Sequence, residues 1–283
     1  MRQYLSALAF VVTLVVVVGA SGCGQRVAGG SNQAPAGADL AADALASLQE
    51  RGSAHFVLDV KTTAAGYSQE APFSLHVEGD ASAHALDAEG SIGFGGFSVT
   101  GHVLADEHNL FVEFMNEWYG EDQGIANAFE QAKKERNGAS PWNDWATPEG
   151  LRRNFDELFT GTVSAGPLVG GVETWKFEGR FSADGITHLE QRYGEAARPD
   201  LNQKMAEASR LVLVVGRDDH LPRRVEFTVK LSADDLKGLS NDGAANFETT
   251  LELSDFGKTV AVNAPEQFKP LNALFDKLLS GFE

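Results

Sequence analysis

The sequence predicts an α+β fold: a curved antiparallel β-sheet of about ten strands, a half-barrel, with helices packed against its concave apolar face. Three observations predict it. Apolar and polar residues alternate with period two through much of the chain. Gly, Asp and Pro punctuate these runs at hairpin spacing. A few stretches of helical period carry a single apolar face, and they supply the cover that a one-sided sheet needs.

Residues 1–22 read as a leader to be removed: Arg2 is the basic end, Leu5 to Ala20 the apolar stretch, and Ala20-Ser21-Gly22 the small-residue site. The stretch is short for a membrane span. The chain's single cysteine, Cys23, follows directly. This arrangement resembles the bacterial lipoprotein signal, in which that cysteine is lipidated on sulfur. The other readings are a buried, inert Cys23, or an ordinary secretory leader cleaved elsewhere. A diacylglyceryl group supplies the two acyl chains that stable anchoring takes, at about 0.8 kcal/mol per buried methylene. Residues 23–37 then form the lipidated cysteine and a flexible tether rich in Gly, Ser, Asn, Gln and Pro. Residues 38–283 are the folded domain.

Composition bounds that domain. One cysteine excludes an internal disulfide or a CxxC site. The formal charge of −17, which loss of Arg2 with the leader takes to −18, excludes nucleic acid as a partner. It also disfavours adsorption to anionic lipid headgroups. Membrane attachment is therefore expected through the lipid anchor.

The first element is a helix over Ala38 to Gln49, with Leu40, Ala44, Leu45 and Leu48 on one face and Gly52 beyond its end. Strands follow around Phe56 to Val60 and Phe73 to Val77. If Gly79-Asp80 turns the chain, Leu75 faces His84 and Phe73 faces Leu86. If Gly90 to Gly93 is the next loop, Leu86 faces Phe97 and His84 faces Val99. A third turn at Asp106-Glu107 sets Val103 against Leu110 and Val99 against Phe114. All three pairings put the large apolar residues, with Val112, on one side, and a one-residue slip would flip a strand.

Gly124 to Asn137 reads as a solvated helix, and Pro141 to Trp145 as a turn with two tryptophans. Thr147-Pro148-Glu149 caps a helix whose apolar face is Leu151, Phe155, Leu158 and Phe159. Strands resume with Trp175, Phe177 and Phe181. Leu211, Leu213 and Val215 are expected to pair with Val229, Phe227 and Val225, and Phe247, Leu251 and Leu253 form another strand. Ser182-Ala183-Asp184 and Ser232-Ala233-Asp234 each read as the N-cap of a short helix. Pro265 to Phe282 is amphipathic, with Phe268, Leu271, Phe275, Leu278 and Phe282 on one side.

No GxSxG, HExxH, P-loop or EF-hand pattern occurs, so the chain is expected to be no enzyme and to carry no cofactor or metal. The glycine-rich Gly90 to Gly96 joins two strands rather than opening a helix, and reads as a hairpin. Asp218-Asp219-His220 reads as a solvated turn. His84 is the one histidine the register sends inward, either bonded to backbone in the core or meeting a ligand's polar group. Trp118, Trp142 and Trp145 read as a pocket rim or as ordinary packing.

In this order of elements the chain resembles the actinobacterial lipid-carrier lipoproteins of the LppX/LprAFG type, whose fold is similar to the LolA/LolB half-barrel. The resemblance rests on the signal ending at Cys23, the Glu78-Gly79-Asp80 phrase, and the strand Asn109 to Phe114 leading to Glu117-Trp118. It rests also on the Leu213 to Val229 hairpin with Leu221-Pro222-Arg223-Arg224, and on Leu253 to Val260 with Ala264-Pro265. It covers most of residues 38–265, and departs at an insertion around 121–146 and at the segment after Pro265. It implies a cavity between sheet and helices that holds the acyl chains of a lipid or glycolipid. The candidate lining is Phe73, Leu75, Val77, His84, Leu86, Phe97, Val99, Val103, Leu110, Val112, Phe114, Val225, Phe227, Val229 and Leu251. It further implies a protein at the extracytoplasmic face of the cell membrane, with an envelope transporter as a candidate partner. The rival expectation is a lipid-anchored interaction module with a solid core and no cargo.

Overall fold

In the computed structural model the described residues are 33–64, 72–122, 145–192, 198–235 and 244–274. Cys23, the Gly124 to Asn137 segment, Trp142 and the chain beyond 274 lie outside them. Two meanders make one sheet. The first runs through β1 (Ser53–Ala64), β2 (Phe73–Ser82), β3 (Leu86–Phe94), β4 (Phe97–Ala105), β5 (Asn109–Phe114) and β6 (Glu117–Asp122). The second runs through β7 (Phe159–Ala165), β8 (Thr174–Phe181), β9 (Ser209–Gly216), β10 (Pro222–Leu231) and β11 (Ala245–Ser254). They join where β1 pairs antiparallel with β11. The two-residue β12 (Lys269–Pro270) adds to β6 in parallel, giving an unclosed sheet of twelve strands in the order 12-6-5-4-3-2-1-11-10-9-8-7.

Twelve strands correct the expectation of about ten. β7 is one that the sequence hid, because Phe159 continues the apolar stripe of the preceding helix. The helix stops at Leu158, and Phe159 stays buried as the first residue of the strand.

The turns also differ. β2 runs on through Gly79-Asp80 to Ser82, and the chain reverses over 83–85, where the Ser82 N–H donates to the Ala85 carbonyl over 2.8 Å. Gly90 and Gly93 likewise lie inside β3, and the next reversal is Gly95-Gly96, with φ of 56° and 90°. Gly79 and Gly90 serve close approach rather than turning: a Cβ at Gly79 would sit 2.2 Å from the Asp87 carbonyl oxygen, and one at Gly90 2.6 Å from that of His76. Phe73 therefore pairs with Phe94 instead of Leu86, Leu86 with Ala105 instead of Phe97, and Val103 with Val112 instead of Leu110. Leu211 pairs with Phe227 and Leu213 with Val225, each two positions from expectation. These shifts are even, so the apolar residues keep their face while changing their neighbours. Val215 is the exception, meeting Pro222 instead of Val225 across a bulge between Pro222 and Arg224.

One row of that face can be followed strand by strand. Phe177, Leu213, Val225, Leu251, Leu58, Val77, Gly90, Gly101 and Phe114 pair in succession from β8 to β5. The opposite face is mostly polar, with Leu104, Phe111, Val212 and Val214 as buried exceptions. It carries cross-strand pairs such as His55 with Asp80 and His76 with Asp59, both 3.0 Å, and Lys230 with Glu248 at 2.8 Å. Exposed pairs of this kind add little stability, about 0–1 kcal/mol each.

Helices cover the second meander and its junction with the first. α1 (Gly37–Arg51) ends at Gly52, whose φ of 75° lets its N–H reach the Leu48 carbonyl at 3.1 Å. In α2 (Pro148–Leu158) Thr147 Oγ1 accepts from the Gly150 N–H at 3.1 Å and Pro148 opens the first turn, as expected. Ser182 Oγ accepts from the Gly185 N–H at 3.2 Å to start α3 (Ala183–Arg192). α4 (Pro199–Ala208) is an addition that Pro199 at N1 and the spacing of Leu201, Met205 and Ala208 could have announced. Asn202 binds it to α3 by donating to Thr187 Oγ1 at 3.0 Å and Glu190 Oε2 at 2.7 Å. The larger core lies between these helices and β7 to β10, and a second lies under Leu48 against β1 to β3 and β11. The expected Ser232 helix is a turn over 233–235, beyond which the chain leaves the described residues.

Of the expected C-terminal stripe, Phe268 and Leu271 lie within the described residues, and both pack beside β6. Phe268 meets Phe111 edge-on at 5.1 Å, while Leu271 is buried with Leu274 and Tyr119 in a third cluster.

Candidate functional site

An apolar, partly open cleft lies between helices and sheet where the two meanders meet. α1 contributes Ala41, Ala44, Leu45 and Leu48, and α2 contributes Leu151 and Phe155, with Phe159 just beyond it. The sheet contributes Ala54 and Phe56 from β1, Ala81 from β2, Leu211 and Leu213 from β9, Pro222 and Val225 from β10, and Leu251 and Leu253 from β11. Every lining side chain is hydrocarbon. Such a lining offers nothing for acid–base or nucleophilic chemistry, and it takes apolar matter out of water at about 25 cal/mol per Å².

The local sequence explains the lining. α1 places residues three and four apart on its inner side, and two of these are alanines, which leave space where a leucine would fill it. A polar frame holds the two helices above the sheet. Arg152 Nε donates to Asp39 Oδ1 at 2.7 Å, and Gln49 Nε2 donates to the Ala146 carbonyl at 2.9 Å. The cavity volume is about 100 Å³. Ligand sites commonly span about 300–1,000 Å³, whereas an engineered cavity of about 150 Å³ admits benzene. The cleft in this form is therefore smaller than a site for a long apolar ligand.

Of the residues expected to line a cavity, the cleft gathers Val225 and Leu251. Phe227 and Val229 are buried in the solid part of the larger core. Phe73, Leu75, Val77 and Leu86 pack against the second cluster, and Leu110, Val112 and Phe114 against the third. Val103 is half-buried, and Phe97 and Val99 face solvent. His84 does not point inward. It sits in the 83–85 reversal, exposed, with Nδ1 2.7 Å from Glu107 Oε1. Its inward placement depended on a turn at Gly79-Asp80, which is strand. Trp145 is buried in the larger core, and Trp118 lies against the His102 ring at 5.2 Å. The helical half of the lining went unassigned, although its signal was present in the apolar stripes of α1 and α2.

Among the described residues no group of three His, Cys, Asp or Glu side chains could hold a metal ion, and no helix is long and apolar enough to cross a membrane. Among the described residues, four carboxylates titrate below their ordinary range, all outside the cleft lining. Burial raises Asp106, but hydrogen bonds from the His108 and Asn109 backbones and the Asn109 side chain outweigh it. Glu178 is lowered by hydrogen bonds from Lys176 and then Arg210. Ser232 lowers Asp235, and Lys258 lowers Asp255.

The chain matches no family model and no curated protein. It is similar to several solved bacterial proteins. The Mycobacterium tuberculosis lipoprotein LppX aligns at 15% identity over 81% of this chain and 100% of its own, with a TM-score of 0.40. LprF from Mycobacterium bovis aligns at 15% over 82% and 99%, with a TM-score of 0.41. A LolA superfamily protein from Nitrosomonas europaea aligns at 11% over 76% and 89%, with a TM-score of 0.18. LppX and LprF belong to the group that the sequence itself resembles.

Proposed function

We propose that this chain is a lipoprotein of the bacterial cell envelope that binds the acyl part of a lipid or glycolipid and carries or presents it. Cys23 anchors it at the extracytoplasmic face, and the cleft takes the cargo. The observation that carries this reading is the wholly hydrocarbon lining of an open cleft whose roof is two helices. That roof is joined to itself by exposed polar contacts, which cost little to break. Binding consists of helix displacement followed by burial of methylenes, and no covalent step is involved.

One observation favours the rival reading of an anchored interaction module: the cleft's volume of about 100 Å³ is small for a lipid. Native mass spectrometry of the protein made in a bacterial host, followed by lipid extraction, separates the two. The carrier reading expects a lipid-like ligand on each chain. Protein that is free of lipid and fails to take up a fluorescent acyl probe supports the interaction module instead.

A further inference from the structure

Among the described residues the apolar face of the sheet is covered at both ends but bare at the tip of the β3–β4 hairpin. Phe94 and Phe97 stand directly opposite each other beside the Gly95-Gly96 turn, and Ile92 and Val99 form the next pair on the same face. Phe97 is 82% exposed, Phe94 61%, Ile92 51% and Val99 40%. Both turn glycines have positive φ, the geometry of a tight two-residue hairpin, so the pair is held at a defined tip. From Gly90 to Gly101 the sequence GSIGFGGFSVTG has no charged residue, in a chain where 22% of residues are charged. Acidic groups return only at the base, with Asp87 and Glu89.

We propose that this hairpin tip inserts into the acyl–headgroup boundary of a lipid bilayer. Large exposed apolar patches mark interaction sites, and here charge and reach select the occupant. An acidic protein is repelled by anionic headgroups, but the tip brings no charge to repel or desolvate. The inference rests on the lipoprotein reading for its reach. Only the thirteen residues 24–36 separate Cys23 from α1, and even fully extended that stretch reaches no more than about 50 Å, which keeps an anchored domain near the membrane. A second copy of this chain fits less well. Two phenylalanines bury about 150–250 Å² each, short of the roughly 800 Å² per partner of a stable interface. From the tip, the same face continues through Leu75 and Leu58 to Leu251, so an acyl chain leaving the bilayer has an apolar track to the cleft.

Phe97→Trp in the full-length protein, anchored in phosphatidylcholine vesicles by its own lipid, tests this. Emission of the introduced indole is compared with and without brominated acyl chains, after subtraction of the parent signal. The proposal expects strong quenching by the brominated lipid. It also expects Phe94→Asp to slow cargo transfer to acceptor vesicles roughly tenfold or more, the factor set by withdrawing a buried phenylalanine ring from an apolar phase. Cargo bound per chain should not change in that variant. Absence of quenching overturns the proposal, as does a concentration-dependent dimer that Phe94→Asp abolishes. Quenching in a protein that carries no cargo upholds the hairpin contact and overturns the carrier reading alone.

Discussion

Arg152 on α2 donates its Nε–H to Asp39 on α1 over 2.7 Å, and the same guanidinium lies 3.9 Å from Asp43, so one side chain fastens together the two helices that roof the cleft. Both ends of the pair are about half exposed. Its contribution to stability is therefore below about 1 kcal/mol, and salt weakens it. Under the proposed function, where acyl chains would enter by separating these helices from the sheet, the pair would act as a latch on that opening.

Arg152→Met should leave the melting temperature nearly unchanged and speed release of a bound fluorescent acyl probe. Stopped-flow dissociation at low ionic strength measures the difference. In about 1 M salt, where the screening length is about 3 Å, variant and parent should converge. Equal release rates at low salt would show that the pair is no latch.

Filling the cleft should separate binding from stability. Ala44 lines the cavity of about 100 Å³, so Ala44→Leu places three added carbons in empty space. Probe binding should be lost while the melting temperature holds or rises. Val229, buried in the solid core, is the contrast: Val229→Trp should cost about 1–3 kcal/mol and lower the melting temperature by several degrees. Thermal melts on lipid-free samples keep ligand stabilisation out of the comparison.

Stability should fall in acid partly through Glu178. Its carboxyl is held below the ordinary range by hydrogen bonds from Lys176 and Arg210. A depressed carboxylate contributes fully above its unfolded value, and the contribution disappears as pH falls through the folded one. Glu178→Gln should therefore be less stable than the parent at neutral pH and converge with it in acid. Urea midpoints across the acid range read this out. The effect is small because the group is exposed.

Cys23→Ser should move the protein from the membrane fraction to the soluble or secreted fraction. Variant protein that remains membrane-bound after a high-salt wash would remove the lipid anchor from the account.

The sequence discloses faces more readily than neighbours. Period-two alternation assigns Leu75, Val77 and Val112 to the apolar side, and the displacements at their turns proved even, the bulge opposite Val215 being the odd exception. Neighbours depend on where the chain turns, and glycine signals two things at once. Gly79 and Gly90 are glycines because strands approach there too closely for a Cβ. Gly95 and Gly96 are glycines because φ is positive. Composition alone does not distinguish them, and His84 was misplaced as a result. The cleft was half legible. Its sheet wall includes the expected Val225 and Leu251, but its roof depends on which helix face meets which strands, a tertiary fact that no local period encodes.

The junction of β1 with β11 pairs His55 with Ser254 and Ala64 with Ala245, partners 199 and 181 positions apart. The remaining antiparallel pairings join strands consecutive in sequence. Each meander can thus assemble from its own contacts, while this seam bears the loop-closure entropy of nearly the whole domain and is expected to close late. Phe56, Leu251 and Leu253 stand on the two sides of that seam and line the cleft. Half-made chains, or chains cut between the meanders, have no completed pocket. Under the proposed function, cargo would then serve as a marker of maturity, loading only onto molecules whose two halves have found each other.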